Sequence, residues 1–140
     1  MDAEDRVRSV GLRPTKQRVA LARLLFDAGH RHLTAEDLHI EAAAKGVVLS
    51  VATVYNTLRQ FTEAGLLRIL AVEGTRTWFD TNVADHHHFV VEGSREIIDA
   101  PIETISVSNL PEPPDDMAIS GIDVIIRIRP LGLKKNPFRA

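Results

Sequence analysis

The sequence predicts an α+β chain in which a helix-rich first part closes with a β-hairpin and a smaller α/β part follows. Three observations lead there. Apolar residues recur at helical three- and four-residue steps between Thr15 and Ala64. Short strand-like runs take over after Gly65. Ser, Thr and Gly stand where each run should begin or end. The order helix, helix, helix, hairpin is that of a winged helix-turn-helix. It occupies residues 1–82, with the α/β unit over residues 83–140 and a polar link at Thr81–Asp85 between them.

Thr15 is a good N-cap for the first strong helix, which carries Val19, Ala22, Leu25 and Ala28 and ends at Gly29. Thr34-Ala-Glu-Asp37 resembles a capping box and opens a second helix, with Ala35, Leu38 and Ala42 inward and Gly46 as its stop. The third starts at Ser50 and buries Val51, Val54, Leu58 and Phe61 before Gly65. Leu66–Val72 and Arg76–Asp80 read as strands around a Glu73-Gly74-Thr75 turn. His88–Glu92 and Glu96–Ala100 form a second hairpin turning at Gly93-Ser94. Ile102, Ile105 and Val107 are poor helix formers and Pro111, Pro113 and Pro114 follow, so only a short or irregular helix is expected there. Ile122, Val124, Ile126 and Ile128 alternate with Asp123, Arg127 and Arg129 as in a half-buried strand, a pattern that only Ile125 breaks, and the tail Lys134–Pro137 is expected to be loose.

Composition narrows the chemistry. The 140 residues contain no cysteine, which excludes disulfides, thiolate metal sites and cysteine nucleophiles and fits a reducing compartment. The acidic start Met1–Asp5 has no signal-peptide pattern, and no run reaches the roughly 20 apolar residues of a membrane span, so a soluble, cytoplasmic protein is expected. The formal charge of −2 gives no global attraction to nucleic acid. Any case for DNA therefore rests on where the cations lie.

On the third helix Ala52, Thr53, Tyr55, Asn56, Arg59 and Gln60 stand outside the apolar stripe. Asn and Gln match adenine, Arg matches guanine or phosphate, and Tyr packs on thymine methyls or bonds phosphate. Alone, such a face is equally a solvated surface; between two short helices and a hairpin it reads as a recognition helix. Arg6, Arg8, Arg13, Lys16 and Arg18 crowd the N-terminal region, as a phosphate-backbone contact or as a solvated helix face. Arg13 and Lys16, with Ala52, Thr53, Tyr55, Asn56 and Arg59, are the DNA-contact candidates.

Four blocks, Gly11-Leu-Arg-Pro-Thr-Lys-Gln-Arg18, His32-Leu-Thr-Ala-Glu-Asp-Leu38, Ala52-Thr-Val-Tyr-Asn-Thr-Leu58 and His86-His-His88, resemble the ferric uptake regulator family in order and spacing. The resemblance covers roughly residues 8–103. It implies a homodimeric metal-responsive repressor binding double-stranded DNA at AT-rich inverted repeats, with residues 83–140 as the dimerisation and sensing domain. Prototypical members carry Cys-x-x-Cys after the histidine cluster, where this chain has Val91-Glu-Gly-Ser94. They also carry a histidine in the last strand, where this chain has Gly121-Ile122. Both losses, with the run His-His-His-Phe, resemble the iron response regulator branch. That likeness implies control of iron and haem homeostasis genes, haem as a ligand, and a haem-delivering protein as a further partner.

The resemblance places a regulatory metal on His32, Asp80, His86, His88 and Asp99. The chemistry is coherent: His86 and His88, two apart on an extended segment, face one side, and a sulfur-free set suits Fe(II), Mn(II) or Zn(II) without choosing among them. The alternative for the histidine run is a surface patch with chance metal affinity. His87 and Glu103 are candidates for a second site or for haem ligation, although the histidine partner that the family uses there is missing. His30 and His39 read as surface residues. Two other functions stay open: a manganese- or peroxide-sensing regulator of the same family, and a small metal-dependent hydrolase. The chain shows no nucleophile or general-base motif, so a regulator rather than an enzyme is expected.

Overall fold

The computed structural model describes residues 1–70, 76–84, 86–94, 96–101 and 104–132. It divides into two compact units, Met1–Ala84 and Asp85–Ala140, the division falling two residues beyond Asn82. The first unit is a winged helix and the second a small sheet with an extended C-terminal segment.

The first unit runs α1 (Ala3–Ser9), α2 (Lys16–Phe26), β1 (His32–Thr34), α3 (Ala35–Ala44), α4 (Val51–Glu63), β2 (Arg68–Leu70) and β3 (Trp78–Asp80). Three helices begin as the cap residues require. The hydroxyls of Thr15, Thr34 and Ser50 accept the backbone N–H of Arg18, Asp37 and Thr53. At α3 the Asp37 carboxylate also accepts the Thr34 N–H at 3.1 Å, completing a capping box. Helices α3 and α4 stop on Gly46 and Gly65, both at positive φ. The next amides, Val47 and Leu66, return to the carbonyls of Ala42 and Phe61, so each stop is a Schellman motif that needs the left-handed residue.

Helix α1 is an element that hydrophobic spacing does not announce. It buries only Ala3 and Val7, and its start rests on the Asp2 carboxylate accepting the Asp5 N–H. That bond holds the Asp2 carboxyl below its ordinary pKa. Strand β1 is the second addition. Its three residues pair antiparallel with β3, and β2 pairs with the other edge of β3, giving the order β1-β3-β2. His32 thereby becomes a strand residue instead of lying in a connection between helices. Part of the expected wing, including the Glu73–Thr75 turn, lies outside the described residues.

One apolar cluster fills this unit: Val7, Leu21, Leu25, Leu33, Leu38, Val54, Leu58, Phe61 and Phe79 are fully or almost fully buried in it. Truncating any of its leucines to alanine should cost about 2–5 kcal/mol. Val51 does not join it: at the first position of α4 it is 44% exposed, and the buried stripe begins three residues on at Val54. Ala28 is likewise exposed, since α2 has ended at Phe26.

The second unit holds β4 (His87–Val91), β5 (Ile97–Ala100) and β6 (Ile125–Ile128) in the order β5-β4-β6. β4 and β5 form the expected antiparallel hairpin, while β6 lies parallel to β4. The last strand is shorter than the alternation suggested: Ile122 and Asp123 precede it and are exposed. No regular helix occurs in residues 104–124; Thr104 turns back onto the Pro101 carbonyl through its N–H and hydroxyl. Ile102, Glu103 and the tail Lys134–Pro137 lie outside the described residues. No helix among the described residues is long and apolar enough to cross a membrane.

Candidate functional site

Register builds the first donor pair. In β1 and β3, His32 stands opposite Asp80, so their side chains share one face of the sheet. His32 Nε2 lies 3.4 Å from Asp80 Oδ2, and the Asp80 side chain is fully buried. Asp80 Oδ1 accepts the Asn82 N–H at 2.9 Å, which fixes the carboxylate. A carboxylate held this far from water is normally paired or bound to a cation.

The backbone beside His32 is pinned from several directions. The Arg31 N–H donates to Thr81 Oγ1 at 2.9 Å, and the Thr81 N–H donates to the Arg31 carbonyl at 3.1 Å. The Arg31 guanidinium grips Glu41 through two bonds of 2.9 and 2.6 Å and also donates to the Leu24 carbonyl at 3.0 Å. Helices α2 and α3 thus hold the strand that presents His32. The sequence gives no sign of this, because Arg31 and Thr81 are 50 positions apart.

A second donor set sits in the β4–β5 hairpin. His88 is the registered partner of Asp99, while His86 immediately precedes β4. The Asp99 carboxylate oxygen Oδ1 lies 3.3 Å from His86 Nε2 and 3.6 Å from His88 Nε2. The two imidazoles meet edge to face, with ring centres 4.5 Å apart. The ligand atoms of these three residues all lie within 4.8 Å of one another. Nitrogen and carboxylate donors at such spacing suit a borderline-to-hard divalent ion, and the absence of sulfur disfavours soft ones. The residues present therefore fit Fe(II), Mn(II) or Zn(II).

His87 faces elsewhere. It is buried, and its Nδ1 accepts the Val124 N–H at 3.1 Å, while the His88 N–H donates to the Val124 carbonyl. A neutral imidazole that accepts at Nδ1 carries its proton on Nε2. In this tautomer neither nitrogen offers a lone pair to a metal, so His87 is a structural clip between β4 and the segment before β6. Its expected partner Glu103 lies outside the described residues. His30 is exposed and His39 partly so.

On α4, Ala52, Tyr55, Asn56 and Arg59 are exposed and Thr53 is partly covered. Tyr55 is only 40% exposed, for its ring rests edge-on against Phe79 of β3 at 6.2 Å. The Thr53 hydroxyl is bonded to Ser50 at 2.9 Å. Arg59 stands loosely beside Glu63. The five clustered cations at and ahead of the start of α2 separate by role. Arg6 stacks on Phe26, Arg8 pairs with Glu4, and Arg18 bonds within the protein. Arg13 and Lys16 are exposed.

The family model described as the Ferric uptake regulator family matches residues 9–111. The chain is 36% identical over 93 residues to the peroxide-responsive repressor PerR of Staphylococcus epidermidis, covering 66% of this chain and 61% of that protein. It is 34% identical over the same length to PerR of Staphylococcus aureus, covering 66% and 62%. The match thus spans less than two-thirds of these curated relatives. Among solved structures, the ferric uptake regulator of Pseudomonas aeruginosa with manganese superposes with a TM-score of 0.70 at 24% identity, over 94% of this chain and 99% of that one. A zinc-bound manganese uptake regulator superposes with a TM-score of 0.68 at 20% identity, over 94% and 100%. At these identities the likeness speaks for the fold.

Proposed function

Because this chain belongs to the ferric uptake regulator family, we propose that it is a metal-responsive, DNA-binding transcriptional repressor acting as a homodimer on iron and haem homeostasis genes. Residues 1–82 read the DNA, and residues 83–140 dimerise and sense. The observation that carries the reading is the outward face of α4, where Tyr55, Asn56 and Arg59 project from a helix whose other side is locked into the core. Asn and Arg supply the donor and acceptor pairs that base edges require, and Arg13 and Lys16 supply phosphate contacts. The target is an AT-rich inverted repeat, as two-fold symmetry would have it, and the protein works in the cytoplasm.

For the signal, His32, Asp80, His86, His88 and Asp99 together hold one divalent ion. Two donors from the winged helix or three from the hairpin fall short of a full shell, whereas the five combined suffice. The bound ion supplies Lewis-acid bonds that favour one arrangement of the units over others. No enzymatic role is assigned: the chain's named relatives are repressors and uptake regulators. Haem, brought by a delivering protein, is the second ligand of this reading, supported by the cysteine-free His-His-His-Phe run. With His87 Nδ1 bonded to Val124, the haem ligand is better sought at His86 or His88. The identity to PerR repressors favours peroxide sensing at the same metal as the alternative.

The test is selection of duplexes from a random-sequence library by the full chain, with Mn(II), with Fe(II) under anaerobic conditions, and with chelator. Enrichment of an inverted repeat that depends on metal supports the proposal. A spectral titration with haem then separates the branches: a Soret shift saturating at a fixed stoichiometry supports haem sensing. Absence of that shift, with DNA binding lost on peroxide treatment, supports the alternative.

A further inference from the structure

Exposed Arg13, in the loop ahead of α2, and the outward face of α4 belong to different elements, yet one side chain joins them. Arg18, in the first turn of α2, donates from Nη1 to the Arg13 carbonyl at 2.9 Å. From Nη2 and Nε it donates to Gln60 Oε1 on α4, at 3.1 and 3.4 Å. Three of the five guanidinium N–H groups are thereby committed inside the protein. Gln60 is committed as well. Reading adenine needs its carbonyl oxygen and amide nitrogen side by side, and that oxygen already accepts from Arg18.

We infer that Arg18 and Gln60 are positioning residues, a clamp that fixes the loop carrying Arg13 against the recognition helix so that phosphate contacts and base contacts engage one duplex in a set register. The inference rests on the DNA-binding reading above and adds two residues to it. Phosphate contacts set register and base contacts give specificity, so each is useful only when the other is correctly placed. The planar fork of arginine can hold a carbonyl and an amide oxygen at once, which a lysine ammonium cannot do in the same geometry. The expected loss on breaking the clamp is roughly tenfold in specific affinity, with little effect on sequence-independent binding.

The experiment uses the full-length chain and Arg18→Ala, Gln60→Ala, the double variant and Arg18→Lys. Affinity is read by fluorescence anisotropy over a salt series, on the duplex that the parent enriches from a random-sequence library and on a scrambled duplex. The clamp predicts that Arg18→Ala and Gln60→Ala lose specific affinity alike and that the double variant loses no more than either. The salt slope should be the same in the two single variants, and lysine should not restore binding. Should Arg18→Ala fail to fold, Gln60→Ala carries the test, since it alters an exposed side chain. A Gln60→Ala protein with parental affinity overturns the clamp. So does a salt slope reduced by about 0.9 in Arg18→Ala but parental in Gln60→Ala, the signature of a phosphate contact made by Arg18 itself. A parent that enriches no duplex overturns the DNA-binding reading itself, whereas enrichment with all variants at parental affinity overturns only the clamp.

Discussion

His86 and His88 share one carboxylate oxygen of Asp99, at 3.3 and 3.6 Å, so the three side chains are already gathered as the proposed metal site requires. Removing both imidazoles takes away two of the five proposed donors. We therefore expect His86→Ala/His88→Ala to weaken Mn(II) binding, read by isothermal calorimetry, well beyond the roughly 10–100-fold that outer-shell changes produce. His39→Ala should bind like the parent, and a double variant with parental metal affinity would make the cluster a bystander. The residues around His32 allow a finer prediction. Arg31 binds no ligand atom, but its two bonds to Glu41 and one to the Leu24 carbonyl hold the strand end that aims His32 at Asp80. Arg31→Ala should therefore cost roughly tenfold in metal affinity, the low end of the outer-shell range, with Arg31→Lys intermediate. Equal metal affinity in Arg31→Ala and parent would reduce the ion pair to a stability device. The candidate donors could be named from the sequence because the family resemblance marks their positions and their donor chemistry is a property of residue type. The supports were not, because Arg31, Glu41, Thr81 and Asn82 act through contacts that only the folded chain creates. His87 shows the same limit: period two placed it opposite its neighbours, but the Val124 amide that occupies its Nδ1 lies 37 positions away.

The elements that could be read in advance are those whose signals lie within the element. Helix α4 shows its cap, its apolar stripe and its Gly65 stop in one stretch, and α3 writes its capping box in four consecutive residues. Where the signal comes from a partner, the sequence is silent. Strand β1 is three residues long and exists because β3 offers it an edge, and α1 is held by only two buried side chains. The alternation from Ile122 to Ile128 outlasts β6, since β4 provides a pairing edge only from Ile125 onward. Two predictions belong to elements. Tyr55→Ala and Arg59→Ala should each lose roughly 1–3 kcal/mol of specific DNA binding, as expected for a base contact. Arg59→Ala should melt like the parent, because its only described ion pair is a loose surface one of 3.9 Å. Tyr55→Ala should melt slightly lower, because the ring also leans on Phe79. Parental operator affinity in both would move the reading surface off α4. At α3, Thr34→Ala removes one half of the capping box and should lower stability by about 1 kcal/mol in denaturant unfolding. No change there would mean that β1 pairing alone holds the helix start.

Across the whole chain the apolar burial is lopsided. The buried cluster lies entirely within Met1–Ala84, whereas among the described residues of the second unit Ala100 is the one buried apolar side chain. There Ile98, Met117, Ile119 and Ile122 stand at least two-fifths exposed, along with Val107 and Leu110. Apolar surface on that scale in so small a unit favours association, and a second copy supplies a matching sheet by symmetry. A half-site reader gains from the same arrangement, since two recognition helices on successive DNA turns bind jointly where one alone binds weakly. The two units should therefore respond differently to separation. A fragment ending at Ala84 keeps every residue of the buried cluster, every helix described here and the β1-β3-β2 sheet, so it should unfold cooperatively. It lacks the exposed apolar residues of the second unit and should sediment as a monomer at concentrations where the full chain is a dimer. Its affinity for the selected duplex should fall toward that for scrambled DNA, because the second half-site is no longer engaged. Analytical ultracentrifugation and anisotropy on the two proteins side by side decide the matter. A fragment that dimerises and keeps full specificity would place the subunit contact in the winged helix and leave the exposed apolar residues of the second unit without their proposed role.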